Sequence, residues 1–111
     1  MAIMRIQFRT IHIDLTPSLK TYCEEKFSHI EKLLKHIDPD GASELDLELV
    51  RTTSHHHKGE VFEAEVHLKM PGKIFRVSET GSDMRAAVDK LKDKLHISVE
   101  RYKDFFTKTH R

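Results

Sequence analysis

Near the start of the chain, Met4, Ile6 and Phe8 alternate with Arg5, Gln7 and Arg9, the period-two pattern of a strand with one buried face. A strand is predicted over roughly residues 3–9. Thr16-Pro17 then marks a helix start, because a threonine side chain can accept from a free N–H while proline at the first position gives up a donor that has no partner there. Leu19, Tyr22, Cys23, Phe27, Ile30, Leu33, Leu34 and Ile37 recur at helical spacing until Asp38-Pro39-Asp40-Gly41 ends the run, so a helix is predicted over roughly 17–37. Leu45, Leu47 and Leu49 alternate with Glu44, Asp46 and Glu48, and Phe62, Ala64, Val66, Leu68 and Met70 alternate with Glu63, Glu65, His67 and Lys69. These are two further strands, joined by a polar turn from Ser54 to Gly59. Pro71-Gly72 turns the chain into a fourth strand that buries Phe75 and Val77. Gly81 and Ser82 break the pattern and cap a long helix with Met84, Ala87, Val88, Leu91, Leu95, Val99, Tyr102, Phe105 and Phe106 turned inward.

The order is β-α-β-β-β-α, an α+β class in which strands one and two are parallel neighbours through a right-handed crossover and the rest are antiparallel. Each helix has one apolar stripe, so both must cover the same face of a four-stranded mixed sheet and leave the other face to water. There Arg5, Gln7 and Arg9 stand against Glu44, Asp46, Glu48, Glu63 and Glu65, a setting for cross-strand pairs of opposite charge.

At 111 residues and 13.0 kDa the chain is read as one domain over 1–111. No apolar run approaches the roughly 20 residues of a bilayer span. Met1 to Arg5 meets charge too soon for a signal peptide, which points to a cytoplasmic protein. Cys23 is the only cysteine, so neither an intrachain disulfide nor a thiolate zinc cage can form.

The formal net charge is only +1, yet it is unevenly spread. Residues 38–70 hold eight acids and three bases, and residues 82–111 hold eight bases and five acids. If those segments lie on different faces, the basic side can dock on a polyanion. On a helical wheel with Lys90 at zero, the apolar positions of the last helix span about 60° to 180°. Lys90, Lys94, Arg101 and Lys108 flank that arc on one side, and Arg85, Lys92, His96 and Lys103 flank it on the other, with Asp89, Asp93, Glu100 and Asp104 behind. One flank must look toward helix one, whose Lys20, Lys26 and Lys32 could line the same groove. The competing structural account is a solvated helix whose basic stems cover the edges of the core.

His55-His56-His57-Lys58 invites a metal reading, although adjacent histidines on a turn rarely converge on one ion; contact with phosphate or base, or a plain solvated turn, are the other readings. Cys23 lies in the apolar register and reads as a small buried hydrophobe. No Ser-His-Asp arrangement, phosphate-cradling glycine loop or paired carboxylate in an apolar setting is visible, so no enzymatic activity and no cofactor are expected.

From Thr52 the sequence reads TTSHHHKGEVFEAEVHLKMPGKIFRVSET, followed by SDMRAAVDKLKDKL, with LTPSLKTYCEEKFSHIEKLLKHI upstream. These segments resemble the ribosome hibernation-promoting factors, also called ribosome-associated translation inhibitors or factor Y proteins, and cover nearly the whole chain. The resemblance implies the same β-α-β-β-β-α fold, similar to a double-stranded-RNA-binding domain. It implies a bacterial factor of stationary phase and stress that occupies the decoding channel of the small ribosomal subunit, covers the messenger and the A- and P-site transfer RNA positions, and inhibits translation. The implied partners are the small subunit and its rRNA, with no membrane, metal or small-molecule substrate. Carried over by position, the implied rRNA contacts are Lys20, Lys26 and Lys32 on helix one, His55, His56 and Lys58 in the loop, and Lys94 and Arg101 on the last helix. Arg85 and Lys90 join them from the wheel.

The sequence departs from the family at Ile11, usually basic, at Arg85, usually aromatic, and at Ile97, usually arginine; Arg85 is expected to replace one lost contact. Long members add a C-terminal dimerisation domain, and this chain resembles the short form, with any joining of ribosomes left to a separate dimerisation factor. Two rivals stay open at this point: a protein-interaction module that binds a basic partner through the acidic sheet face, and a metal protein built on the histidine loop.

Overall fold

The computed structural model describes residues 5–52 and 61–109, with side chains as far as Phe105. Its elements are β1 (Arg5–Ile11), α1 (Pro17–Leu34), β2 (Glu44–Arg51), β3 (Phe62–Met70), β4 (Lys73–Gly81) and α2 (Met84–Thr109). The sheet order is β1-β2-β3-β4, with β1 parallel to β2 and the other pairs antiparallel, as the alternation of the sequence predicts. The histidine loop, with His55, His56 and Lys58, lies outside the described residues.

Local chemistry explains most of the boundaries. Thr16 Oγ1 accepts from the Leu19 N–H at 3.1 Å and Pro17 opens α1. That helix ends at Leu34 and not near Ile37, because the next turn tightens: the Ile37 and Asp38 N–H groups both reach the Leu34 carbonyl. Asp38, which the sequence places in the run that ends the helix, is buried; its Oδ2 accepts from the Ser43 N–H at 2.7 Å and the Ser43 hydroxyl at 2.5 Å, which locks the entry to β2. Gly72, at φ +77°, follows Pro71 in the two-residue turn between β3 and β4. The cap of α2 is Asp83, whose Oδ1 accepts from the Ala86 N–H at 2.8 Å, one residue beyond the expected Gly81-Ser82. Gly81 has a different task. A Cβ there would lie 2.7 Å from the Ala87 nitrogen and 3.0 Å from the Asp83 carbonyl oxygen, so only glycine lets α2 begin this close to β4.

Both helices cover one face of the sheet. Cys23, Phe27 and Ile30 of α1 and Val88, Leu91, Leu95 and Val99 of α2 are fully buried with Leu45, Leu47, Leu49, Val66 and Leu68 of the sheet. Burying a side chain of this size stabilises by about 1.5–3 kcal/mol before the entropy of ordering is subtracted. At about 39 Å, α2 is longer than the roughly 30 Å of a nine-residue strand. Tyr102 ties it to β4, its ring meeting Phe75 edge-on at 5.8 Å, whereas Phe105, predicted to turn inward, is exposed.

The open face of the sheet is a grid set by the register. Its rows are Arg5-Glu44-Lys69-Ile74, Gln7-Asp46-His67-Arg76, Arg9-Glu48-Glu65-Ser78 and Ile11-Val50-Glu63-Thr80. Arg9 pairs with Glu48 at 3.7 Å, Lys69 with Asp46 at 3.1 Å, and His67 Nε2 lies 2.6 Å from Glu65 Oε1. The acidic surface expected from the run of carboxylates is therefore a mixed one, since Arg5, Arg9, Lys69 and Arg76 stand among them.

Candidate nucleic-acid interface

The two helices run side by side in the same direction: Ser18 meets Arg85, Tyr22 and Lys26 meet Asp89, and His29 lies near Lys92 and His96. This settles which flank of α2 faces α1. It is the flank of Arg85, Lys92 and His96. The other flank, with Lys90 and Lys94, lies over β4.

At the N-terminal end of the groove between the helices, Arg85 Nη2 donates to Ser18 Oγ at 2.9 Å and the guanidinium carbon stands 5.3 Å from the centre of the Tyr22 ring. Lys26 Nζ is also 5.3 Å from that ring centre. The Tyr22 hydroxyl donates to Asp89 Oδ1 at 2.5 Å, and the same oxygen takes Lys26 Nζ at 3.3 Å. Donation to a carboxylate, assisted by burial, pushes the tyrosine from its ordinary 10.0 up to about 12. Further along, His29, Lys92, Asp93, His96 and Ile97 line an open cleft of about 460 Å³. Lys92 Nζ lies 2.8 Å from Asp93 Oδ1 and, by donating to it, holds that carboxyl below its usual range. Ile97 is half exposed at the cleft.

On the β4 flank, Lys90 Nζ donates to the Thr80 carbonyl at 3.0 Å and Lys94 Nζ lies 3.4 Å from Glu79, which projects on the helix side of the sheet. Arg101 is exposed two turns beyond Lys94. The expectation that Lys20, Lys26 and Lys32 line one groove holds for Lys26 alone. Steps of six residues turn a helix by about 240°, so the three lysines point three ways, and Lys20 and Lys32 are exposed elsewhere on α1.

Sequence reasoning placed Tyr22 in the apolar stripe and gave no role to Ser18 or Asp89. The signal available was position: Tyr22 sits at the edge of the stripe, about 100° from Cys23, where a ring can be half covered while its hydroxyl reaches a polar partner. Cys23 itself is sealed, and burial pushes its thiol up to about 12. Among the described residues, no group of three or more His, Cys, Asp or Glu is arranged to hold a metal ion, and no helix is long and apolar enough to cross a membrane.

Residues 6–106 match the family described as Sigma 54 modulation protein / S30EA ribosomal protein. The chain belongs to that family. Among S30EA relatives, a Deinococcus radiodurans protein named "Ribosome hibernation promotion factor" is 30% identical over 97 residues, which cover 87% of this chain and 48% of that protein. This chain thus spans about half the length of that relative. The fold is similar to the N-terminal domain of Thermus thermophilus Protein Y, at TM-score 0.69 and 26% identity, over 89% of this chain and 99% of that one. A ribosomal subunit interface protein from Coxiella burnetii shares the fold at TM-score 0.71 and 24% identity, over 91% and 99% of the two chains. The order β-α-β-β-β-α that the sequence predicts is the order this chain adopts.

Proposed function

We propose that this S30EA protein is a non-enzymatic ribosome hibernation factor. It binds the rRNA of the small ribosomal subunit in the decoding channel and inhibits translation by covering the messenger and the A- and P-site transfer RNA positions under stress. The observation that carries this reading is the family match over residues 6–106, together with the name of the Deinococcus relative. The two basic flanks of α2 support it, because they offer cations on the helical side to phosphates at several points. The proposed contacts are Lys26 and Arg85 in the interhelical groove, Lys90, Lys94 and Arg101 on the β4 flank, Lys20 and Lys32 on α1, and His55, His56 and Lys58 in the loop. Among the described residues the open sheet face carries no exposed aromatic for stacking bases, so RNA shape is read through phosphates. No bond is made or broken: the factor acts by occupying space.

Co-sedimentation with small subunits at two salt concentrations tests the reading. Binding is expected to fall steeply as salt rises, because each neutralised phosphate releases a counterion. Messenger and initiator transfer RNA added first should compete. Salt-independent association, or undiminished inhibition once both are locked in place, would overturn it.

A further inference from the structure

We propose that Arg85 and Lys26, arrayed over the Tyr22 ring, form a two-pronged site for one backbone phosphate of RNA, and that Asp89 occupies Lys26 in the free protein as an internal stand-in for that phosphate. The inference rests on the RNA-binding reading and deepens it, since it names which cations act together and what holds them.

The geometry gives each member a separate task. Arg85 has five N–H donors. One nitrogen is tied to Ser18 Oγ at 2.9 Å, which leaves the rest of the fork for an acceptor outside the protein. Tyr22 supplies a flat surface at 5.3 Å from both cations, so their heads are aimed before any ligand arrives. Tyr22 in turn is anchored through its hydroxyl to Asp89 at 2.5 Å. Asp89 completes the set, because its Oδ1 holds Lys26 Nζ at 3.3 Å, and a phosphate oxygen is the same kind of acceptor. The Lys26 and Asp89 side chains remain 36% and 45% exposed, so the pair is screened by water and an arriving polyanion can displace it. Tyr22 is thus a positioning residue, Arg85 and Lys26 are the ligands' partners, and Asp89 is their competitor.

The test measures affinity for small ribosomal subunits, and for 16S rRNA stripped of protein, across a salt series. Arg85→Gln and Lys26→Gln should each weaken binding about three- to tenfold, and the double variant should reduce the salt slope by about 0.7–0.9, the loss of the one phosphate contact the pair shares. Asp89→Asn should strengthen binding about threefold, and the gain should vanish in the Lys26→Gln background, since its route is the release of Lys26. Tyr22→Leu removes no charge, yet it should weaken binding toward the Arg85→Gln level, while Tyr22→Phe keeps the ring and stays within about twofold of the parent. Circular dichroism melts establish that each variant is folded, and if Tyr22→Leu is not, the Arg85, Lys26 and Asp89 series decides alone. If the parent binds subunits and Arg85→Gln and Lys26→Gln bind equally well, this site is wrong and the hibernation reading stands. If the Asp89→Asn gain survives without Lys26, the stand-in is wrong. If the variants behave as expected on stripped rRNA while the parent ignores intact subunits, the site stands and the hibernation reading falls. Binding to neither removes both.

Discussion

On the flank of α2 that lies over β4, Lys94 reaches Glu79 at 3.4 Å with its side chain still 59% exposed, and Lys90 leans on a strand carbonyl. On the flank that faces α1, Arg85 is fixed by Ser18 and stands over an aromatic ring that also aligns Lys26. The residue types are similar and the wheel angles are near mirror images. The β4 flank presents charge on long stems in high dielectric, where pairing is worth little and geometry is loose. The α1 flank presents charge that is aimed. In the proposed docking on RNA, the first kind of cation would contribute mainly to the electrostatic, salt-sensitive part of affinity, and the second more to fixing position on the phosphates.

The largest expected effect comes from shifting α2 and both flanks together. Gly81→Ala forces a Cβ against the backbone of Asp83 and Ala87, which cannot rotate away as a side chain tip would. The expected cost is about 1–3 kcal/mol in denaturant unfolding, with RNA binding through both flanks impaired in parallel. Full stability with normal binding would show that the close start of α2 is not needed to place them.

Charge reversal on the β4 flank alone should cost less overall but fall on binding. Lys94→Glu with Arg101→Glu is expected to reduce small-subunit affinity at least about tenfold, or roughly 1.4 kcal/mol, at moderate salt. Both positions lie outside the core, and the surface change should alter stability by about 0.5 kcal/mol, with Lys94→Glu facing Glu79 as the one added repulsion. Glu63→Gln with Glu65→Gln on the open sheet face is the control and should leave affinity nearly unchanged. Loss of binding in the control with normal binding by the helix variant would reverse the assignment of faces.

The smallest effect isolates the α1 flank by pH. The folded tyrosine ionises at about 12 against an ordinary 10.0, so the protonated phenol is favoured by folding. Its stabilising contribution is complete below pH 10 and disappears as pH rises through about 12. The stability difference between the parent and Tyr22→Phe, measured by denaturant unfolding, should hold steady up to about pH 10 and then narrow. A gap that persists unchanged through pH 12 would mean that the Asp89 bond does not stabilise the flank.

The strands were legible because their faces differ so sharply. Leu45, Leu47 and Leu49 against Glu44, Asp46 and Glu48 admit one assignment, and a slip of one residue would bury three carboxylates. The candidate site was legible as a set of bases but not as a geometry. A wheel gives each base an angle about its own helix, and nothing in that angle says whether α1 or β4 lies on a given side. Direction emerged only when Ser18, Tyr22 and Lys26 were found opposite Arg85 and Asp89, contacts between residues more than 60 positions apart. Asp38 was missed for a similar reason, since its partner Ser43 lies across a turn whose shape depends on burying the carboxylate. The charge run over 38–70 overstates the acidity of the open face: the sequence already sets Arg5 and Arg9 against its carboxylates, and the register adds Arg76 of β4.

Cys23 turns the core of this molecule into its own clock. A sulfur that is wholly covered, and whose thiolate is disfavoured by its surroundings, can meet an alkylating reagent only when α1 lifts away from the sheet. With a single thiol in the sequence, one adduct mass reports one event, so the rate of labelling counts how often the interior opens. The same seal keeps two folded copies from being joined sulfur to sulfur, whatever the oxidant outside.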